Sequence, residues 1–254
     1  MFSPDRAAFQ KAADSGANLI PLAQSWPADL ETPLTTWIKV GAGRPPGVLL
    51  ESVEGGETLG RWSVIACDPL WTASARGDRL TRRWRDGASD IHQGNPFDGL
   101  RHCLSPYRCA NLPGLPPLGQ LYGMWGYELI HWIEPTIPIH PQDDTAPADG
   151  IWMLMDGILI FDQVKRLITA VAYGDLSGGC DVEDAWQSAL ARIADLRRRM
   201  DAPLPAVAPL QWSPNADVLP DVSSNRNRSD FEAAVESARE HIAAGDVFQL
   251  VLSQ

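Results

Sequence analysis

The chain has 254 residues, 44% of them apolar, and its 21 Lys and Arg against 32 Asp and Glu give a formal charge of −11. That length buries a real core and holds one large domain or two small ones, while an acidic balance without a Lys/Arg tract excludes a nucleic-acid binder. No apolar run approaches the ~20 residues of a membrane span, and the N-terminus, MFSPDRAAF, lacks a signal-peptide pattern, so no membrane contact and a cytoplasmic location are expected.

The cysteines (Cys67, Cys103, Cys109, Cys180) are scattered without CxxC spacing, which points to reduced and mostly buried thiols. The histidines form no HxxxH or HxxH pair, and adjacent His102 and Cys103 fall on different faces of any helix, so no zinc site is expected. The ten tryptophans are read as core and pocket walls, because the basic groove of a stacking platform is missing.

In chain order, Ser3-Pro4 reads as a cap followed by Pro at the start of a helix that Gly16 closes, and residues 17–22 read as a strand. Thr32-Pro33 opens a second helix with Leu34, Trp37 and Ile38 on its apolar face. Residues 48–50 and 62–67 form a strand pair around the Gly55-Gly56 turn. Residues 71–76 and 80–84 form a hairpin across Gly77-Asp78. Asn95-Pro96 caps a third helix running to about Leu104. In QLYGMWGYE (120–128) the two glycines among aromatics suggest a strand that another backbone approaches closely; a bulge packed for shape explains them equally well.

Residues 151–161 and 166–173 read as a long antiparallel pair, and 181–200 as a helix with Val182, Trp186, Ala189, Leu190, Ile193 and Leu196 along one face. The Pro/Ala/Ser/Asn-rich stretch 201–228 is the linker candidate. Ser229-Asp230-Phe231-Glu232 has the form of a capping box, with Phe231, Val235, Ala238 and Ile242 expected inward. Gly245 ends that helix, and 246–253 (DVFQLVLS) reads as a strand apolar on both faces. The expected organisation is a first domain over 1–200, a linker over 201–228, and over 229–254 the opening of a second, truncated domain. The fold class is α+β, antiparallel sheets covered by helices.

The chemistry concentrates where the first central strand stops. Val48, Leu49 and Leu50 give way to a carboxylate and a hydroxyl, Glu51 and Ser52, and Arg61 opens the returning strand. A free amino acid presents an ammonium for Glu51 to accept from and a carboxylate to which Ser52 and the forked guanidinium of Arg61 donate. The plainer alternative makes Glu51 and Ser52 turn initiators and Arg61 a solvated strand residue. Glu54 and Glu57 are read as solvated turn carboxylates rather than metal ligands.

Three stretches carry a family resemblance. LLESVEGGETLGRWSVIACDP (49–69) resembles the effector-site region of anthranilate synthase component I, the large subunit of a chorismate-utilising family. GMWGYELIHWIE (123–134) resembles its GYxGYD-type segment, with Glu128 where Asp is usual. FEAAVESAREHIAAGDVFQLVLSQ (231–254) is similar to the start of its chorismate-binding domain. The wording is closest to cyanobacterial members.

The resemblance implies an enzyme that joins ammonia to chorismate with Mg²⁺ and yields anthranilate and pyruvate on the way to tryptophan, a lyase in class. Its ammonia comes from a glutamine amidotransferase subunit, component II. It implies that Leu50, Glu51 and Ser52 contact the inhibitor tryptophan, with Arg61 the nearest match to a basic pocket residue. Gln249 occupies the place where relatives that use water carry a lysine base, and an amide cannot act as that base. The family's Mg²⁺ ligands map beyond residue 254, so no metal ligand is assigned and the 254-residue chain alone is expected to be inactive. Two other readings stay open: the folate-pathway sister, aminodeoxychorismate synthase component I, and a non-catalytic amino-acid-binding module.

Overall fold

The computed structural model describes residues 2–41, 44–51, 60–111, 113, 119–137, 147–204, 206 and 223–253. They fall into two compact units divided between Ala206 and Val207.

The first unit begins with α1 (Arg6–Asp14), β1 (Leu19–Pro27) and α2 (Pro33–Gly41), followed by β2 (Gly47–Leu50) and β3 (Trp62–Cys67). Next come β4 (Trp71–Arg76), β5 (Arg79–Trp84), β6 (Ser89–Gln93), α3 (Pro96–Leu104) and β7 (Leu121–Trp125). A 3-10 helix (Tyr127–Trp132), β8 (Gly150–Leu154), β9 (Gly157–Asp162), β10 (Leu167–Asp175) and α4 (Val182–Met200) complete it. Two antiparallel five-stranded sheets result: sheet A in the order β1-β10-β9-β3-β2 and sheet B in the order β6-β5-β4-β8-β7. The α+β expectation holds.

Sheet A is apolar on both faces because both are covered. Ile20, Leu22, Ile65, Leu159, Phe161 and Ile168 meet Phe9 of α1, Val40 of α2 and the α4 stripe Trp186, Ala189, Ile193, Leu196 and Met200. The alternate residues Val64, Ala66, Ile158, Ile160 and Val171 meet Met153 and Met155. Sheet B turns Trp71, Ala73, Leu80, Trp152 and Leu154 onto Leu100 and Cys103 of α3 and Leu129 of the 3-10 helix. Each large side chain so buried contributes about 1.5–3 kcal/mol.

Several local expectations are corrected. The cap of α1 is Asp5, whose carboxylate accepts from Ala8 N at 2.8 Å. Ser3 instead exchanges backbone hydrogen bonds with Ala23. The buried positions of α2 are Pro33, Thr36 and Val40, with Leu34 53% exposed. The expected strand over 151–161 breaks at Met155-Asp156, where the chain leaves sheet B for sheet A. The chain makes the reverse passage, from sheet A to sheet B, at Cys67–Trp71, where Asp68 takes a positive φ of 55°.

These two corners are fastened by arginines. Arg192 reaches Asp156 at 3.1 Å and donates to Cys67 O at 3.0 Å. Arg199 reaches Asp68 at 2.7 Å and Asp195 at 2.5 Å, and Arg85 reaches Asp156 at 2.8 Å and Pro69 O at 3.1 Å. Arg192 and Arg199 are nearly buried at their side chains, which is tolerable because each meets a carboxylate, while Arg85 clamps the same corner from the exposed surface.

In the second unit, α5 (Arg228–Ala244) is capped by Asn227, which accepts from Asp230 N at 2.9 Å, so Ser229 is inside the helix and the expected capping box does not form. Gly245 ends it at φ 83°. None of its residues is buried, Phe231, Val235, Ala238 and Ile242 included. No strand forms over residues 246–253: no described strand takes its backbone hydrogen bonds, and Phe248 is 95% exposed.

Candidate functional site

β2 starts at a glycine for a steric reason. A Cβ on Gly47 would stand 2.7 Å from the Trp37 ring and 2.9 Å from Ala66 O, so α2 and β3 press on this strand from two sides. Val48 then packs toward Met153 and Met155, Leu49 toward α2 and α4, and Leu50 sits opposite Val64 with half its surface open. β2 is an edge strand of sheet A. Glu51 follows, exposed at the strand's end. Ser52, together with Glu54 and Glu57, lies outside the described residues.

Arg61 precedes β3 on the neighbouring strand, and its place is fixed by a residue about a hundred positions away. Its Nε donates to Asp162 Oδ1 at 3.0 Å and its Nη2 to Oδ2 at 2.6 Å, a two-pronged pair at the end of β9. The guanidinium also lies 4.5 Å from the centroid of the Trp62 ring. Asp162 is 5% exposed and accepts further from Val164 N at 3.1 Å and Lys165 N at 3.0 Å. The Arg61 hydrogen bonds hold its carboxyl below the ordinary aspartate range despite burial. Gln163 closes the same corner: its N–H donates to Arg61 O at 2.9 Å and its side-chain amide to Ser63 Oγ at 3.3 Å.

Arg61 is therefore neither the solvated residue of the plain alternative nor a guanidinium whose whole fork awaits a ligand. The edge that suits a carboxylate is given to Asp162. Asp162 and Trp62 are the site residues sequence reasoning missed. The signal was present in kind, since Asp162, like Glu51, is a carboxylate ending an apolar strand, but nothing local says which cation it meets.

The aromatic segment is built for close approach. A Cβ on Gly123 would stand 2.3 Å from Ile151 O, and Gly126 N donates to Asp149 O at 2.6 Å. Trp125 stacks on Phe97 at 4.3 Å and meets Trp152 edge-on at 4.7 Å. Glu128 is hydrogen-bonded to His131 Nε2 at 2.8 Å. Gln249, in the second unit, is exposed beyond α5 and not on a strand. Among the described residues no group of three or more His, Cys, Asp and Glu is arranged to hold a metal ion, and no helix is long and apolar enough to cross a membrane.

The family described as chorismate binding enzyme matches residues 48–254, and the chain belongs to that family. Within it, the chain is similar to anthranilate synthase component 1 of Synechocystis sp., 46% identical over 260 aligned positions that cover 100% of this chain and 51% of the relative. It is also similar to anthranilate synthase component 1 of Cereibacter sphaeroides, 33% identical, with 97% of this chain and 49% of the relative covered. The chain thus spans about half the length of the curated relatives it matches. Its fold is shared with the crystal structure of anthranilate synthase component I from Streptococcus pneumoniae, at a TM-score of 0.51 and 23% identity, over 86% of this chain and 45% of that one.

Proposed function

We propose that this chain forms the regulatory part of an anthranilate synthase component I. That subunit converts chorismate and ammonia to anthranilate, pyruvate and water, its ammonia coming from a glutamine amidotransferase subunit in the cytoplasm. The names of the relatives support the activity. The observation that carries the regulatory role is the end of β2, where half-exposed Leu50 is followed by exposed Glu51 on an edge strand braced by its neighbours. In this reading Leu50 packs against the indole of tryptophan, Glu51 accepts from its ammonium and Ser52 donates to its carboxylate. Arg61 acts through Asp162 as a positioning residue, holding the start of β3 beside them.

Tryptophan inhibits in this scheme by binding one arrangement of the enzyme better than another, which is the condition for any inhibition that does not compete directly with substrate. The magnesium that the activity implies finds no ligand set among the described residues, so no step is assigned to it here.

The whole component I gene that includes this chain's coding sequence, expressed with its amidotransferase subunit in a tryptophan auxotroph lacking component I, is expected to restore growth and to yield tryptophan-inhibited anthranilate formation, whereas the 254 residues alone are expected to do neither. Rescue of a p-aminobenzoate auxotroph and not of the tryptophan auxotroph would overturn the assignment in favour of the folate-pathway sister.

A further inference from the structure

β7 is the outermost strand of sheet B, paired on one side with β8 and on the other with no strand among the described residues. Met155 N donates to Gln120 O and Gly126 N to Asp149 O, so the even-numbered residues of this stretch face β8. The N–H and C=O groups of Leu121, Gly123 and Trp125 therefore point out of the sheet. Such a row of unpaired backbone groups is a template for another strand, and folded proteins guard it with a charge, a proline, a very short edge or a covering segment. The other edges are guarded in these ways. β6 carries Asp90, β1 is bridged by Ser3, which exchanges backbone hydrogen bonds with Ala23 at 2.9 and 2.7 Å, and β2 has only 4 residues and ends at Glu51.

β7 reads LYGMW, with neither charge nor proline, and its Met124 is 65% and its Trp125 44% exposed. The strand is also complementary to itself. Turned about a two-fold axis at Gly123, two copies of β7 pair antiparallel, Gly123 with Gly123 and Leu121 with Trp125, through about six backbone hydrogen bonds. Tyr122 then meets Met124 of the second copy on one face and Leu121 meets Trp125 on the other, apolar pairs throughout. Trp125 continues into a groove with Tyr127 and Ile133, which are 87% and 60% exposed. At about 200 Å² for a large side chain, the exposed parts of these four residues amount to on the order of 500 Å² per copy. A symmetric pair hides on the order of 1,000 Å², the smallest area that a specific contact needs.

We infer that β7 is a self-association edge, at which two copies of this chain join sheet B to sheet B across Gly123 into one continuous antiparallel sheet. The contact holds no charge and draws on no electrostatic attraction. Two chains of charge −11 repel one another over a distance that salt screens, so the pair tightens as ionic strength rises.

The test is sedimentation velocity of the purified 254-residue chain at low and high salt, joined to hydrogen exchange read by NMR. Between about 1 and 100 µM, the range that so small an interface implies, a monomer is expected to give way to a dimer, and to do so at lower concentration in high salt. The amides of Leu121, Gly123 and Trp125 are expected to exchange more slowly as the dimer fills. Met124→Lys places two like charges near the axis and is expected to weaken the dimer by about tenfold or more. Leu30→Lys, 97% exposed between β1 and α2, leaves it unchanged, and circular dichroism confirms that both variants fold. A monomer at every concentration overturns the assignment. So does a dimer indifferent to Met124→Lys, or one in which those three amides exchange as fast as in the monomer, since it then forms through another surface.

Discussion

Arg61 and Asp162 close one end of the β3–β9 pair with two near-parallel hydrogen bonds of 3.0 and 2.6 Å, while at the other end of the same pair Arg192 draws on Asp156 and on Cys67 O. Two of the three inner strands of sheet A, β3 and β9, are thus pinned at both ends by guanidinium groups, and β2, which ends at Leu50 just before Glu51, is hydrogen-bonded to β3.

Removing either member of the first pin leaves the other charge largely out of water. Arg61→Ala and Asp162→Ala are each expected to lower stability by about 1–3 kcal/mol, toward the low end for Arg61, whose side chain is 26% exposed. Arg61→Lys recovers only part, because an ammonium cannot make the two-pronged contact. Urea denaturation followed by tryptophan fluorescence checks this. Equal stability of Arg61→Ala and the wild type would show the pair to be incidental.

Acid should release the same pin. Asp162 and Asp195 both have carboxyl groups held below their ordinary range: at Asp162 chiefly by hydrogen bonds from Arg61, and at Asp195 because burial, the largest single influence and an upward one, is outweighed by hydrogen bonds from Arg198 and Arg199 and the charges of Arg199 and Arg192 together. A group depressed in the folded state contributes stability above its unfolded pKa, about 3.9 for Asp, and loses it as pH falls through the lower folded value. Thermal melts taken downward from pH 5 are therefore expected to fall steeply below pH ~4. In Asp162→Asn the slope should be shallower, and an unchanged slope would assign the acid sensitivity elsewhere.

The corner arginines answer to a double-mutant cycle. Arg199 is 10% exposed at its side chain and Asp68 29%, and a coupling of about 1–3 kcal/mol is expected between Arg199→Ala and Asp68→Ala. Additive effects would show that the crossover is held by backbone hydrogen bonding alone.

Gly123→Ala tests the close approach of β7 to β8. The added methyl meets backbone, Ile151 O at 2.3 Å, so no side chain can swing aside. A loss of about 3 kcal/mol or more is expected, the upper end of what overpacking costs. Thermal unfolding of the single variant decides it.

Much of the fold was legible because its signals are local. The Asn95-Pro96 cap of α3, the Gly77-Asp78 turn between β4 and β5 and the helical stripe of α4 each follow from residues within a few positions of one another. The break at Met155-Asp156 was hidden because strand propensity runs on through Gly157–Asp162, and what ends β8 is the passage between sheets, with Asp156 taken by Arg85 and Arg192. Ser3 and Ser229 were plausible caps that lost to Asp5 and Asn227, a shift of two residues each. At the candidate site, the end of β2 could be located from Leu50 and Glu51 alone. The commitment of Arg61 to Asp162 could not, since that contact spans 101 positions and depends on which strands become neighbours.

The central claim is that the carboxylate of Glu51 holds the ammonium of tryptophan. The inhibition constant for tryptophan, measured on the enzyme encoded by the whole gene with wild type and Glu51→Gln side by side, tests it most directly. Losing a charge-assisted hydrogen bond of about 1.5–3 kcal/mol predicts inhibition weakened at least about tenfold with the uninhibited rate retained. Inhibition of equal strength in the two enzymes would contradict it.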